Sequence, residues 1–453
     1  MTRFDPSGPL RGALRPPSDK SISHRAALIA AMGEGETRIG NYLEAADTVS
    51  TLDAVGALGA ATTGTWSTTV SPPTDWQGGR PPEPSGFILR GVGLRGARSG
   101  SIDVGNAGTL LRLLPGWLAG QGGGEWTLDG DESIRRRPVD RIAAPLRQMG
   151  ADLSAREDRL PPLAVRGAPL RGITYEMPIA SAQVKSCLLF AGLLAEGETT
   201  VIERHPSRDH SERMLAAAGA DLTVEPLGPD GSEGNAVVIR PAERLEPGEI
   251  VVPADISSAA FFIVAASLVA GSEVTLEDVG VNPTRTGLLT ILARMGAEIE
   301  VEPRGEAGGE PVASVTVRPS ALTATEVGGA EIPLAIDELP LVALAACFAE
   351  GTTTIRDAAE LRRKESDRVE TVTAALTALG GEVEATEDGM VISGTGGLRG
   401  GAIESHGDHR IAMLGAVAGI ASREGVEVGG MDAAAVSYPG FEADLGSLLG
   451  PGD

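Results

Sequence analysis

An apolar run followed by a glycine and a short β-prone segment recurs six times along the chain. The copies include HRAALIAAMGEGETRI, VKSCLLFAGLLAEGETTV and SAAFFIVAASLVAGSEVTL. The runs are hydrophobic on nearly every side, which is typical of helices enclosed by sheet. A recurring unit of this kind indicates an internal repeat. The pattern therefore predicts six buried helices, each leading into a strand.

A second, amphipathic helix is predicted in each unit, as in RIAAPLRQMGA and LTILARMGA. Glycine just after a helix favours the left-handed C-cap conformation. The glycines at these positions are Gly59, Gly150, Gly219, Gly296, Gly380 and Gly450. Each unit thus reads strand, helix, strand, helix and further strand, in about 75 residues that cannot bury both faces alone. Three units per domain is the simplest partition of this α/β chain, with a Pro/Gly/Glu connection near residues 243–252.

The overall charge narrows the choice of partners. The 453 residues include 38 Lys and Arg against 62 Asp and Glu, a formal charge of −24. Nucleic acids and anionic membranes bind basic surfaces, so neither is an expected partner. The longest apolar stretch, residues 259–271, is too short to cross a bilayer, and no secretion signal precedes it. Cys187 and Cys347 lie in apolar helical runs, which favours burial as free thiols in a reducing cytoplasm.

Basic residues collect beside the predicted helix starts. Three lysines occur in the chain, Lys20, Lys185 and Lys364, and the remaining cations are arginines. The segments that precede the six apolar runs are SDKSISHR, GNAGTLLR, SAQVKS, ADISSA, AIDELP and GDHR. Ser, Asp, Asn and Gly there are also ordinary N-cap residues. A helix start also suits phosphate or carboxylate, and the basic segments RRRP, SRDHSER, NPTR and RRKESDR oppose the helix dipole unless an anion is supplied from outside.

These segments predict a site for a small, multiply anionic ligand. Its cations are Lys20, Arg25, Arg112, Arg137, Arg208, Lys364, Arg368 and Arg410. Asp337 and Glu365 are candidates for proton transfer. Alternatively, Asp337 caps its helix and Glu365 pairs with a neighbouring Arg. The histidines lack companion ligands at metal-binding spacing, so no metal site is predicted.

In this order, SDKSISHR, NAGT, RRRP, SAQ, IDE, KESDR and GDHR resemble the family of 5-enolpyruvylshikimate-3-phosphate synthases. The resemblance covers essentially the whole chain. It implies two domains, each of three βαβαββ repeats with buried parallel helices (an inside-out α/β barrel), and an active-site cleft between the domains. The domains would comprise residues 18–250, mainly on the shikimate 3-phosphate side, and residues 1–17 with 251–453.

The implied reaction transfers the enolpyruvyl group of phosphoenolpyruvate to the 5-hydroxyl of shikimate 3-phosphate, by addition and elimination of phosphate. Asp337 would be the base, Glu365 the acid that protonates C3, and Lys20 a further catalytic residue. The shikimate 3-phosphate contacts would be Lys20, Ser21, Arg25, Ser181, Ala182, Gln183, Arg208, Asp337 and Lys364. The phosphoenolpyruvate contacts would be Lys20, Asn106, Gly108, Arg137, Gln183, Arg368 and Arg410. No metal or cofactor is implied, and a cytoplasmic monomer is expected.

Some segments resemble a particular subgroup of the family. SAQVK, RDHSE and NPTR are similar to relatives that tolerate the inhibitor glyphosate, whereas Gly108 leaves room for that longer ligand. Many members have a Lys where this chain has Val436. Two alternatives stay open. One is a UDP-N-acetylglucosamine enolpyruvyl transferase, which usually relies on a loop Cys; the other is a noncatalytic anion-binding scaffold.

Overall fold

The computed structural model describes residues 1–67, 85–228 and 233–449. These residues form two compact units. The N-terminal unit comprises residues 18–253 together with 306–310, and the C-terminal unit comprises residues 1–17, 254–305 and those from 311 onward.

The helices α1 to α13 are, in chain order, Lys20–Met32, Ala46–Ala57, Gly108–Ala119, Asp140–Gln148, Ala182–Gly192, His210–Ala217, Ile256–Leu268, Gly287–Arg294, Ile332–Ala335, Leu339–Phe348, Arg368–Ala378, His409–Ala421 and Phe441–Leu449. The strands β1 to β23 are Thr2–Phe4, Arg11–Leu14, Glu36–Gly40, Ala61–Ser67, Ser85–Arg90, Gly100–Asp103, Glu125–Asp129, Asp152–Arg156, Leu160–Arg166, Thr174–Glu176, Thr199–Glu203, Leu222–Pro226, Asn235–Ile239, Glu249–Val251, Glu273–Gly280, Glu298–Ala307, Glu310–Arg318, Glu326–Val327, Thr352–Ile355, Glu382–Ala385, Met390–Ser393, Gly401–Glu404 and Val426–Gly429.

The described strands of the N-terminal unit form three four-stranded sheets, ordered β14-β3-β5-β4, β6-β7-β9-β8 and β10-β11-β13-β12. In each sheet the first pair is parallel and the others are antiparallel. Alternate residues of β7, such as Trp126 and Leu128, are buried. One face of the strand therefore packs on the core and the other faces solvent, as is usual for sheets with antiparallel pairs.

Among its described strands, the C-terminal unit has two four-stranded sheets, ordered β16-β17-β15-β2 and β18-β19-β21-β20, and one three-stranded sheet, ordered β1-β23-β22. The first strand of one repeat in each unit comes from a distant part of the chain. Strand β14 pairs with β3, and β2 pairs with β15, both in parallel. In each unit, one sheet is therefore completed by a strand that is distant from it along the chain.

The six predicted apolar runs form α1, α3 and α5 in the N-terminal unit and α7, α10 and α12 in the C-terminal unit. Their burial confirms the prediction, since every residue of α10 from Leu339 to Cys347 is buried. Close packing between α3 and α5 requires glycine at position 116, where an added Cβ would lie 2.0 Å from the carbonyl oxygen of Cys187. The backbones of α3 and α5 therefore lie in close contact at this point.

The predicted glycine C-caps of the second helices are confirmed where they are described. Gly59, Gly150, Gly219, Gly296 and Gly380 have φ values between +88° and +107°. Gly450 lies outside the described residues. Cys187 and Cys347 are free and buried, as predicted. In the described part of the chain, no helix has the length and apolarity needed to cross a membrane.

Candidate active site

In the N-terminal unit, Lys20 is the first residue of α1, which is capped by the side chain of Asp19. The Lys20 Nζ lies 3.1 Å from Oδ2 of Asp47 in the first turn of α2. The side chain of Lys20 is 24% exposed. It is therefore held in place by one carboxylate and is still accessible to a ligand.

Arg25 lies one turn further along α1 and is 2% exposed. Its guanidinium donates to the Ser21 carbonyl at 2.9 Å, to Ser211 Oγ at 2.8 Å and to Ser186 Oγ at 3.0 Å. Burial lowers the pKa of Arg25 to about 10, against the opposing effect of carboxylates such as Glu212. Its hydrogen-bond acceptors are thus neutral oxygens, and its charge can attract an anion.

The first turns of α3 and α5 form a second part of this cluster. Arg112 Nη1 donates to Gln183 Oε1 at 3.1 Å, and Gln183 Nε2 donates to Thr109 Oγ1 at 3.3 Å. Gly108 starts α3, and an added Cβ there would lie 2.6 Å from Nη1 of Arg137. The absence of a side chain at Gly108 therefore lets the Arg137 guanidinium approach the α3 backbone.

The remaining predicted residues of this unit lie at helix starts. Ser181 is the N-cap of α5, where its side chain accepts from Val184 N, and Ala182 is the first helical residue. Asn106 precedes α3 by two residues, and Arg208 precedes α6 by two. The positive charge of Arg208 contributes to the lowered pKa of Arg25. These contacts show that α1, α3 and α5 begin at the same end of the N-terminal unit.

In the C-terminal unit, Asp337 lies just before α10 and is bound by two cations. Its Oδ1 accepts from Lys364 Nζ at 3.1 Å and from Arg368 Nη1 at 3.4 Å. Asp337 lies one residue before Glu338, the N-cap of α10. Its carboxylate is held as part of a charged cluster.

Arg368 is the centre of this cluster and is 1% exposed. Its Nη2 lies 2.7 Å from Glu365 Oε2, and its Nε lies 2.9 Å from Asp408 Oδ2. Burial alone would lower the pKa of Arg368, but Glu365 and Asp408 outweigh it and raise the pKa. In turn, Arg368 outweighs the burial of Asp408 and holds the pKa of that carboxyl below its usual value. Glu365 does pair with a neighbouring Arg, and it is also 32% exposed.

Arg410 lies in the first turn of α12, where its backbone N donates to Asp408 Oδ1 at 2.9 Å. Its Nη1 donates to the Asp337 carbonyl oxygen at 2.8 Å and lies 3.3 Å from Glu338 Oε1. The structure thus brings together five predicted residues of this unit, which are Asp337, Lys364, Glu365, Arg368 and Arg410. Val436 lies at the end of a short 3₁₀ helix and is half-buried.

Some of the basic residues at helix starts do not need an external anion, contrary to the prediction. Several of them pair with carboxylates of this chain, including Arg135 with Asp129 at 2.8 Å and Arg285 with Asp255 at 3.0 Å. Arg362 pairs likewise with Asp367 and Glu370. The dipole of these helices is therefore opposed by ion pairs rather than by isolated charges.

Among the three lysines, Lys185 has a structural role. Its side chain is fully buried, with Nζ 2.9 Å from Glu203 Oε2 and 2.6 Å from Glu212 Oε1. Burial would lower the pKa of Lys185, but the two glutamates outweigh it and raise the pKa. The Lys of SAQVK is thus an ion-pair partner of the Glu of RDHSE.

The sequence did not single out several residues that position the predicted ones. They are Asp47, Ser186, Ser211, Ser257, Glu338 and Asp408. All six lie within the polar segments that precede or begin helices, which is the only signal that could have found them. Among residues 1–67, 85–228 and 233–449, no group of three His, Cys, Asp or Glu side chains is arranged to hold a metal ion.

Neither cysteine has the environment of a reactive thiol. Burial raises the pKa of Cys187 and raises that of Cys347 to about 12. Each lies inside a central helix. Neither thiol therefore provides the reactive loop Cys expected of the UDP-N-acetylglucosamine enolpyruvyl transferase alternative.

Comparisons with known proteins all match one enzyme family. Residues 4–77 and 87–445 match the family model described as EPSP synthase (3-phosphoshikimate 1-carboxyvinyltransferase). A protein of that enzyme name from Anaeromyxobacter sp. (strain Fw109-5) is 51% identical over 443 residues, 97% of this chain and 96% of the relative. One from Synechococcus sp. (strain RCC307) is 47% identical, covering 97% of each chain. A solved EPSP synthase from Acinetobacter baumannii superposes with a TM-score of 0.83 and 40% identity, over 98% of this chain and 97% of that one.

Proposed function

Because this chain belongs to the EPSP synthase family, we propose that it transfers the enolpyruvyl group of phosphoenolpyruvate to the 5-hydroxyl of shikimate 3-phosphate and releases phosphate. The fold is the two-domain inside-out α/β fold of that family. One observation of the site carries the proposal: two carboxylates, Asp337 and Glu365, are both held on the guanidinium of Arg368. Two such carboxylates can supply the one proton removal and the one proton donation of this reaction.

Asp337 is the base that removes the proton of the 5-hydroxyl. Lys364 and Arg368 surround its Oδ1 at 3.1 Å and 3.4 Å, and these cations favour the ionised carboxylate that a base must present. Lys364 also reaches the hydroxyls of the acceptor. Loss of the proton makes the 5-oxygen a nucleophile for C2 of phosphoenolpyruvate.

Glu365 is the acid that protonates C3 of phosphoenolpyruvate as the 5-oxygen adds to C2. Its Oε2 lies 2.7 Å from Arg368 Nη2, a charge-assisted contact. An anionic substrate close to Arg368 offsets that positive charge and favours the protonated form. The resulting tetrahedral intermediate then returns a proton from C3 and loses phosphate.

The two anionic substrates repel each other, and the cations of the site offset this repulsion. Lys20, Ser21, Arg25, Ser181, Ala182, Gln183 and Arg208 bind shikimate 3-phosphate, together with Asp337 and Lys364. Lys20, Asn106, Gly108, Arg137, Gln183, Arg368 and Arg410 bind phosphoenolpyruvate. The neutral partners of Arg25 support this assignment, since its charge is not offset by a bonded carboxylate.

The enzyme is expected to act as a cytoplasmic monomer without metal or organic cofactor, on its two small substrates rather than on nucleic acid or membrane. Two free, buried thiols and a charge of −24 support this view. Light scattering should give a mass close to 46.3 kDa, and excess chelator should leave turnover unchanged. A dimer mass, or loss of activity in chelator, would overturn these expectations.

The proposed reaction is tested by phosphate release from phosphoenolpyruvate with purified full-length protein. We expect release with shikimate 3-phosphate and none with UDP-N-acetylglucosamine or without an acceptor. Release that depends on UDP-N-acetylglucosamine would favour the related transferase. No release with any acceptor would favour a noncatalytic anion-binding protein.

A further inference from the structure

A chain of buried polar side chains links the first turns of α7, α10 and α12 in the C-terminal unit. It begins at Arg285, the Arg of the segment NPTR, which is 3% exposed. Arg285 Nη2 lies 2.7 Å from Ser257 Oγ, and Ser257 Oγ is hydrogen-bonded to Glu338 Oε1. Glu338 Oε1 lies 3.3 Å from Arg410 Nη1. The chain therefore connects Arg285, which has no assigned role, to a proposed substrate contact.

The direction of each hydrogen bond in this chain is fixed. Guanidinium groups only donate, so Ser257 Oγ accepts from Arg285. The hydroxyl proton of Ser257 is then directed to Glu338. Glu338 Oε1 thus accepts from Ser257 at one side and from Arg410 at the other. No member can reverse its role without breaking a bond to a buried neighbour.

The chain also sets how Arg410 is oriented. Both acceptors of its guanidinium, the Asp337 carbonyl and Glu338 Oε1, are bonded to Nη1. A guanidinium held by one terminal nitrogen keeps its plane, and a phosphate or carboxylate can then bind the rest of the fork. The side chain of Arg410 is 12% exposed, whereas that of Glu338 is 1% exposed. The buried carboxylate is therefore the support and the arginine is the part that a ligand can reach.

Charge balance explains why a cation is needed at position 285. Arg285 pairs with Asp255 at 3.0 Å, while Glu338 pairs with Arg410. The Arg285–Ser257 bond polarises the hydroxyl toward Glu338, which reduces the pull of that carboxylate on Arg410. Without this bond, Glu338 would bind Arg410 more strongly and hold it away from a substrate anion.

We infer that Arg285 and Ser257 are positioning residues for Arg410, and that they set the affinity for phosphoenolpyruvate through Glu338. The inference rests on the proposed function, in which Arg410 binds phosphoenolpyruvate. It assigns the NPTR segment to the phosphoenolpyruvate side of the reaction, although Arg285 itself contacts no substrate.

The test compares Ser257→Ala with Ser267→Ala in the full-length enzyme. Both serines are buried on α7, but Ser267 Oγ donates to a backbone carbonyl of its own helix, that of Ile263, at 2.8 Å. Ser257→Ala should raise KM for phosphoenolpyruvate by roughly three- to thirtyfold, with kcat and KM for shikimate 3-phosphate within about twofold. Ser267→Ala should leave both KM values within about twofold. If Ser257→Ala does not fold, Glu338→Gln is measured instead; it removes the charge that holds Arg410, so KM for phosphoenolpyruvate should fall or stay within about twofold, and a larger rise would overturn the inference.

A double-mutant cycle separates action through Arg410 from a general loss of structure. If Ser257 acts through Arg410, adding Ser257→Ala to Arg410→Lys should change KM for phosphoenolpyruvate by less than about twofold. Multiplied effects, equal rises in both KM values, or an unchanged KM in the single variant would each overturn the inference. Wild-type enzyme is assayed first: no turnover with shikimate 3-phosphate would overturn the proposed function, and the inference with it. An active wild type with any of those three outcomes overturns the inference alone.

Discussion

Two buried arginines, one in each unit, differ in what holds them. Arg25 donates to two serine hydroxyls and a backbone carbonyl, and burial lowers its pKa to about 10. Arg368 donates to the carboxylates of Glu365, Asp408 and Asp337, which raise its pKa despite its burial. One arginine is hydrogen-bonded to neutral oxygens, and the other is hydrogen-bonded to three carboxylates.

The different partners of the two arginines indicate that the two clusters have different roles. A cation with neutral partners attracts a substrate anion strongly, because no bonded carboxylate competes for it. Four of the five N–H groups of Arg368 donate to carboxylates, which leaves one for phosphoenolpyruvate. In this view Arg25 mainly binds substrate, whereas Arg368 mainly holds the acid and the base in place.

The largest expected loss of turnover follows substitution of Asp337, one of the carboxylates bonded to Arg368. Asp337→Asn should lower turnover by roughly 10² to 10⁴, the usual loss for a missing general base, and should also weaken shikimate 3-phosphate binding. Steady-state phosphate release and calorimetric titration measure the two effects. Asp5→Asn, at an exposed ion pair with Arg3, is the control and should stay within about twofold of wild type. Turnover of Asp337→Asn close to wild type would remove Asp337 from the role of base.

Removing the charge of each arginine tests whether the different partners of Arg25 and Arg368 affect the stability of the protein. Arg368→Met leaves buried carboxylates without their cation and should destabilise the protein by about 3 to 5 kcal/mol. Arg25→Met leaves hydrogen-bond partners that are all neutral, and Ser186 and Ser211 already bond each other at 2.6 Å, so the loss should be about 1 to 3 kcal/mol. Denaturant unfolding at pH 7 measures both free energies. Equal losses would mean that the different partners have no energetic consequence.

The loss of unfolding free energy in Arg368→Met should also depend on pH. Arg368 depresses the pKa of Asp408, and a carboxyl with a depressed folded-state pKa contributes stability that disappears as pH falls through that value. In the variant, burial raises the pKa of Asp408 instead, so protonation relieves the unpaired charge. The difference from wild type should therefore shrink between pH 7 and about pH 4. A difference that grows as pH falls would contradict the proposed coupling.

A smaller effect is expected for Arg25→Lys, which keeps the charge but not the three-way contact. KM for shikimate 3-phosphate should rise about tenfold, since one compact ammonium cannot replace a guanidinium fork. KM for phosphoenolpyruvate should change less than about threefold. The exposed Arg38→Lys in the same unit is the control. An equal rise in both KM values would show that Arg25 does not distinguish the substrates.

The smallest effect is expected for Gly108→Ala. The added methyl would lie 2.6 Å from Arg137 Nη1, so the end of that side chain must move. KM for phosphoenolpyruvate should rise a few-fold, and the inhibition constant of the longer ligand glyphosate should rise more. Gly56→Ala on α2, where an added Cβ meets no atom within 4 Å, is the control. Equal weakening of both ligands would show that Gly108 does not set the length of the pocket.

The central helices could be predicted because their runs are apolar on every side and each is followed by glycine. Periodicity could not predict the pairing of β2 with β15 or of β14 with β3, since strands of 4 and 3 residues carry almost none. The resemblance alone placed residues 1–17 with residues 251–453. The same limit applies to the site. Arg25 was found from its place at a helix start, but Ser186 and Ser211 lie 161 and 186 residues away along the chain. Neutral and acidic surroundings of an arginine cannot be distinguished before such neighbours are known.

The most direct test of the account is whether Glu365 delivers the proton to C3. Reversible protonation makes a methyl group in the intermediate, so wild-type enzyme in D₂O with shikimate 3-phosphate should incorporate deuterium at C3 of recovered phosphoenolpyruvate. Glu365→Gln should lower this exchange by roughly 10² to 10⁴ while calorimetry shows unchanged shikimate 3-phosphate binding. Glu370→Gln, at an exposed pair with Arg362, should exchange like wild type. Exchange in Glu365→Gln at the wild-type rate would contradict the account and leave Glu365 as an ion-pair partner of Arg368.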